Sequence, residues 1–168
     1  MCAGMDAWTS LPNLHPAVVH FPIALLPAAL LFDLVCLLRP TWTWLDRGAA
    51  ALYTLAAAGA GAAFLAGREA AESLGPLTPS AAAVLERHED LARWSLIALS
   101  ALALLRLALA WREHDRPRIS SGPLRWILLF GGIGALGLLA TTADHGGSLV
   151  YRHGVAVRSA TPDAPALP

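Results

Sequence analysis

Charge is scarce in this chain. Of its 168 residues only 14% are charged, against 56% hydrophobic, and the mean hydropathy is +0.54. Charged residues normally approach a quarter of a soluble domain, so a water-soluble globule is excluded. Lysine is absent altogether: all twelve cations are arginine, balanced by twelve acids. That leaves no basic surplus of the kind a nucleic-acid binder carries. Cysteine is nearly absent too. Cys2 stands at the terminus and Cys36 deep in an apolar run, so no shared disulfide is expected, and there is no C-x-x-C metal pattern. No basic segment precedes the first apolar run, so that run is read as part of the mature protein and not as a signal peptide. No nucleophile motif, oxyanion hole or phosphate loop is visible, and nothing supports an enzyme.

What the chain has is long apolar runs. Four of them, roughly 16–38, 48–67, 89–111 and 123–143, have the length of about 20 residues that a helix needs to cross a membrane. Pro16 suits a first helical turn, while Pro22 and Pro27 inside the first run predict a kink. The second run is almost all small residues, and Gly131, Gly132, Gly134 and Gly137 crowd the fourth. Small residues let helices approach closely in lipid. These patterns predict an all-α fold: a four-helix transmembrane bundle in one domain, 1–158, followed by a disordered Pro/Ala-rich tail, 159–168. No repeat of 20–50 residues is visible. Ser80, after Pro79, is expected to cap a helix that starts outside the membrane and runs on into the third span.

Arginine sets the expected orientation. Arg39 and Arg47 flank the first connection, and Arg112, Arg116, Arg118 and Arg125 the third. The other side holds five arginines mixed with acids. The cation rule therefore favours the first and third connections as cytoplasmic, with Trp42, Trp44, Trp111 and Trp126 at the same interface. Both termini then lie on the outer, periplasmic side.

Five of the six histidines fall at that outer end. His15 and His20 open the first span, His88 opens the third, and His145 and His153 follow the fourth; only His114 lies opposite. Ionisable groups inside a membrane mark function. Imidazoles from different helices at one depth suit a metal or a haem iron. His20 with His88, or His20 with His145, is the expected axial pair for haem b, with Arg93 among the arginines meeting the propionates. A copper or zinc site from His15, His20, His88 and His145, with Asp144 as a further candidate, is the alternative. So is a cofactor-free subunit whose histidines only tie helices together. His114 and His153 are read as exposed. Asp33 is a buried charge on the first span, and its depth matches that of Arg106 on the third. The two are expected to pair.

The segments "LHPAVVHFPIALL" (14–26) and "TADHGGSLVYRHGVAV" (142–157), with His88 between them, resemble the bacterial membrane family catalogued as domain of unknown function 2231. Ala156 stands where the family pattern has glycine. The resemblance implies four spans and a membrane redox setting among respiratory subunits, in a bacterial inner membrane. It also singles out His15, His20, His88, Asp144, Gly146, Gly147 and Tyr151. Read from the residues, Gly146 and Gly147 would let the chain leave the fourth helix. The segment after them would lie extended over the bundle.

Overall fold

Proline shapes the first helix. Helix α1, His15–Leu38, consists of an opening turn, His15–Val18, and a main body, His20–Leu38. Pro16 sits in the first turn, where its missing N–H costs no bond. Pro22 has no N–H to offer the carbonyl four residues back, and the next one, from Ile23, reaches Val19 O only at 3.5 Å. The joint at Val19 follows from this lost bond. Helices α2, Trp44–Glu72, α3, Pro79–Asp115, and α4, Gly122–Tyr151, complete the fold. The computed structural model describes residues 14–39, 41–42, 44–115 and 122–157, without the side chains of 112–115 and 122. The expected tail, 159–168, lies outside them.

All four helices are long and apolar enough to cross a membrane. Each is longer than its apolar run. Helix α3 starts well before the third run, as a helix continuous with the span, but its cap is Thr78 and not Ser80. Thr78 Oγ1 accepts the N–H of Ala81 at 3.3 Å, and Pro79, fixed at the first helical position, puts the cap one residue earlier.

The fourth helix corrects a larger expectation. It does not end at Gly146 and Gly147 but continues to Tyr151, so "SLVY" is helical and not extended. The left-handed exit comes later, at Gly154 with φ +63°. There the N–H of Gly154 returns to Val150 O at 3.1 Å and that of Val155 to Leu149 O at 2.9 Å. In a bundle the tertiary contacts of a helix decide whether glycine stops it, and here Gly146 is held against His88.

The helices pack as a ring in chain order, α1 on α2, α2 on α3, α3 on α4 and α4 back on α1. Diagonal pairs do not approach at the backbone. Leu26, Tyr53 and Leu99 fill the axis, wholly buried, with alanines around them. Gly59 lets Pro22 press against α2, and Gly48 does the same for the Phe32 ring. Outward-facing Phe21, Leu31, Leu55, Leu104 and Phe130 are exposed, as lipid contact requires. Exposed Trp42, Trp44, Trp111 and Trp126 girdle the end where α1 joins α2 and α3 joins α4, at the level of an interfacial aromatic belt. Both described termini lie at the opposite end.

Candidate functional site

At the terminal end, two histidines face each other across the diagonal. The rings of His15 on α1 and His88 on α3 meet edge to face, their centroids 6.2 Å apart and their planes at 90°. Each is anchored on the helix that follows it. His15 Nδ1 lies 2.8 Å from Ala63 O on α2, and His88 Nδ1 lies 2.9 Å from Thr142 O on α4. A carbonyl only accepts, so Nδ1 carries the proton in both rings. In the neutral form of either imidazole the lone pair would then sit on Nε2.

Glycine makes these anchors possible. A carbonyl in a helix is overhung by the side chain four residues on. Four residues after Ala63 is Gly67, and four after Thr142 is Gly146. A Cβ at Gly67 would lie 3.0 Å from the His15 ring, and one at Gly146 would lie 3.0 Å from that of His88. Each imidazole rests where a side chain would have been. Below His88, Thr142 Oγ1 donates to Leu138 O at 2.8 Å, so the Ser95 hydroxyl, 3.0 Å away, donates to Thr142.

The other expected residues fall elsewhere. His20, expected opposite His88, is exposed, and the ring that meets His88 is that of His15. The reason is angular: five residues turn a helix by about 140° beyond a full circle, so His15 and His20 cannot both face the axis. His145 is turned back along α4, its Nδ1 donating to Thr141 O at 2.8 Å. Arg93 is exposed and pairs with Asp90 at 3.2 Å. Asp144 is exposed as well, and it is the Thr142 carbonyl that orients His88. Among the described residues no group of three or more His, Cys, Asp or Glu side chains is placed to hold a metal ion. The four-histidine copper or zinc site is therefore not assembled.

A second polar level closes the connecting end. Arg106 on α3 forms an ion pair with Asp33 on α1 through Nη2 and Oδ1, with 7% and 2% of the side chains exposed. Arg106 Nη1 lies 3.6 Å from Asp46 Oδ1 on α2, and Arg125 Nη2 on α4 donates to Asp46 Oδ2 at 3.0 Å. The Tyr53 hydroxyl donates to Asp33 Oδ2 at 2.9 Å, and the Arg106 guanidinium lies 5.9 Å from the centre of its ring. Two acids and two arginines, one from each helix, sum to zero charge. A buried charge needs such partners, because stripping it of water costs several kcal/mol.

The two levels share one register. Asp33 follows His15, and Arg106 follows His88, by 18 residues. That is five full helical turns and about 27 Å, so each pair lies on a single face of its helix, turned toward the axis.

A family model described as "Predicted membrane protein (DUF2231)" matches residues 11–159, a stretch that contains both levels. The chain belongs to this family. It is thus a predicted integral membrane protein with four candidate spans, and the anchors Gly67 and Gly146 lie within the family segment. No curated protein and no solved structure matches it.

Sequence reasoning missed Gly67, Tyr53, Asp46 and Arg125. Asp46 and Arg125 looked like interfacial charges beside the connections. Gly67 was one small residue among many. The signal available was the repeated spacing from an anchoring carbonyl to a glycine, which gains meaning only once the two histidines are placed.

Proposed function

We propose that this DUF2231 protein binds one haem b between His15 and His88 and serves as an electron carrier within a membrane redox assembly. The observation that carries this reading is that two imidazoles from different helices, His15 and His88, stand together at one level, each oriented by a backbone carbonyl. The rings here stand 6.2 Å apart, each with Nδ1 bound to a carbonyl. Two protein donors suit a group that brings four ring nitrogens of its own, whereas a bare zinc or copper ion needs more from the chain.

The bound group would supply one-electron chemistry. The chain's part is to hold both Nε2 atoms in place, to fix their tautomers and to keep water from the axis. Held by His15 and His88 together, the group would favour electron transfer over binding of a further ligand. The partners are then other redox subunits. The arginine-rich connections favour the cytoplasm, with the histidine level at the outer face of a bacterial inner membrane. A reporter fused after Pro168 that works only when exported would be active in that arrangement.

The test is a haem titration of the detergent-purified protein, followed by reduced-minus-oxidised absorbance. Wild type and His20→Ala should give the same low-spin bands, and His15→Ala and His88→Ala should lose or shift them. A wild type that binds no haem, or an unchanged spectrum in His15→Ala, would overturn the assignment. The cofactor-free reading has one observation in its favour. The same two carbonyl bonds tie α1 to α2 and α3 to α4, which on its own predicts lower stability in His15→Ala and His88→Ala with no spectral change.

A further inference from the structure

We infer that the chain is a duplicated helical hairpin, α1–α2 and α3–α4, whose two copies have become an acid-bearing half and an arginine-bearing half that fit only each other. Three sets of equivalences carry this. His15 and Asp33 on α1 recur 73 positions later as His88 and Arg106 on α3. Asp46 and Gly67 on α2 recur 79 positions later as Arg125 and Gly146 on α4. The anchors follow the same rule, since the bond from His15 to Ala63 O and that from His88 to Thr142 O differ by the same two offsets.

Burial repeats as well, more completely on the second helix of each hairpin than on the first. All six buried positions of α2 between Ala49 and Ala63 correspond, 79 residues on, to the six buried positions of α4 between Leu128 and Thr142. On the first helices the match is looser: Pro22, Leu26 and Leu30 on α1 map onto buried Ser95, Leu99 and Ala103 on α3, while buried Ala29 and Cys36 map onto half-buried Leu102 and Leu109. Moreover, equivalent residues touch one another, which is the mark of a two-fold axis. His15 meets His88, Asp33 meets Arg106, and Tyr53 fills the space of its counterpart Gly132, where a Cβ would lie 2.5 Å from the hydroxyl.

The charges have diverged in a directed way. Both carboxylates of the buried cluster belong to the first hairpin and both guanidiniums to the second. Two copies of the first hairpin would set four acids together, and two of the second would set four arginines. Like charges at this depth repel strongly. The face of each half therefore takes only its complement. The histidine level is shared equally, one ring from each half, and neither half holds that site alone. This inference stands whether or not haem is the ligand.

Two-fold equivalence makes a specific demand of the full chain. Exchanging all four charges between the halves, D33R/D46R/R106D/R125D, keeps every contact of opposite sign. Exchanging one pair does not. D33R/R106D places a carboxylate against Asp46, and D46R/R125D places a guanidinium against Arg106, in each case across the 3.6 Å contact. Thermal unfolding in detergent should therefore rank the quadruple variant above both double variants. A gap of about 10 °C is expected for one broken buried pair. A quadruple variant that melts at or below the better double variant, or does not accumulate in the membrane, would overturn the equivalence.

Discussion

The guanidinium of Arg106 crosses the bundle axis to the carboxylate of Asp33, joining two diagonal helices whose backbones do not approach each other. Removing Arg106 leaves Asp33 buried without its counter-charge, a loss of about 3–5 kcal/mol. Removing Asp33 leaves Arg106 only the longer contact with Asp46, at 3.6 Å, among the ion pairs described. Asp33→Asn and Arg106→Gln should each lower the unfolding temperature in detergent. The double variant should lose clearly less than the sum of the two. Losses that add up fully would show that the pair is not coupled.

Gly132 is where the core is tightest. A Cβ there would lie 2.5 Å from Tyr53 Oη and 2.6 Å from Leu30 Cδ2. Gly132→Ala should therefore destabilise by roughly 1–3 kcal/mol through overpacking. Tyr53→Phe in the same chain should recover part of the loss, since it removes the atom that is struck. Chemical denaturation of the single and double variants checks both points.

Gly67→Ala and Gly146→Ala strike the histidine level without touching a histidine. Each new methyl would press on a ring at 3.0 Å, shifting it from its carbonyl. Residues that orient ligating histidines typically matter by 10–100-fold in affinity, and the haem proposal therefore predicts a loss of at least about tenfold in haem affinity for each variant. A titration with unchanged affinity would separate these glycines from the site.

Ala156 is the one described non-glycine residue with positive φ, at 60°. Left-handed backbone costs an L-residue about 1–2 kcal/mol, and glycine adopts it freely. Ala156→Gly should relieve most of that cost and slow amide exchange around Leu149–Val157. Gly154→Ala, at φ +63°, should do the opposite.

The span count was legible because four apolar runs of adequate length admit few other readings. The depth match of Asp33 and Arg106 was legible as well, since distance along a helix is linear in residue number. Rotation about the axis was not. His15 and His20 both lie at the outer end of the first span, about 7.5 Å apart in height, but which of them turns inward depends on rotation, set by the Val19 joint and the packing of Pro22 on Gly59. The end of α4 misled for a related reason, because glycine is a stop signal only where nothing packs against it. The duplication stayed hidden because its halves share burial and register more than residue identity. The longer path from Arg106 to Arg125 than from Asp33 to Asp46, 19 residues against 13, also split one period into two offsets.

The neutral charge cluster also has a timetable. Asp33 and Asp46 are synthesised before either of their arginines. Arg106 follows Asp33 by 73 residues, which at about 5–20 residues per second means a wait of roughly 4–15 s. Throughout that interval the first hairpin holds two acids at a depth where a lone carboxylate is costly. They must take up protons or stay level with the water at the membrane edge. Only when the second hairpin is made can the cluster reach zero net charge, so the first half of the bundle stays electrostatically incomplete until the second completes it.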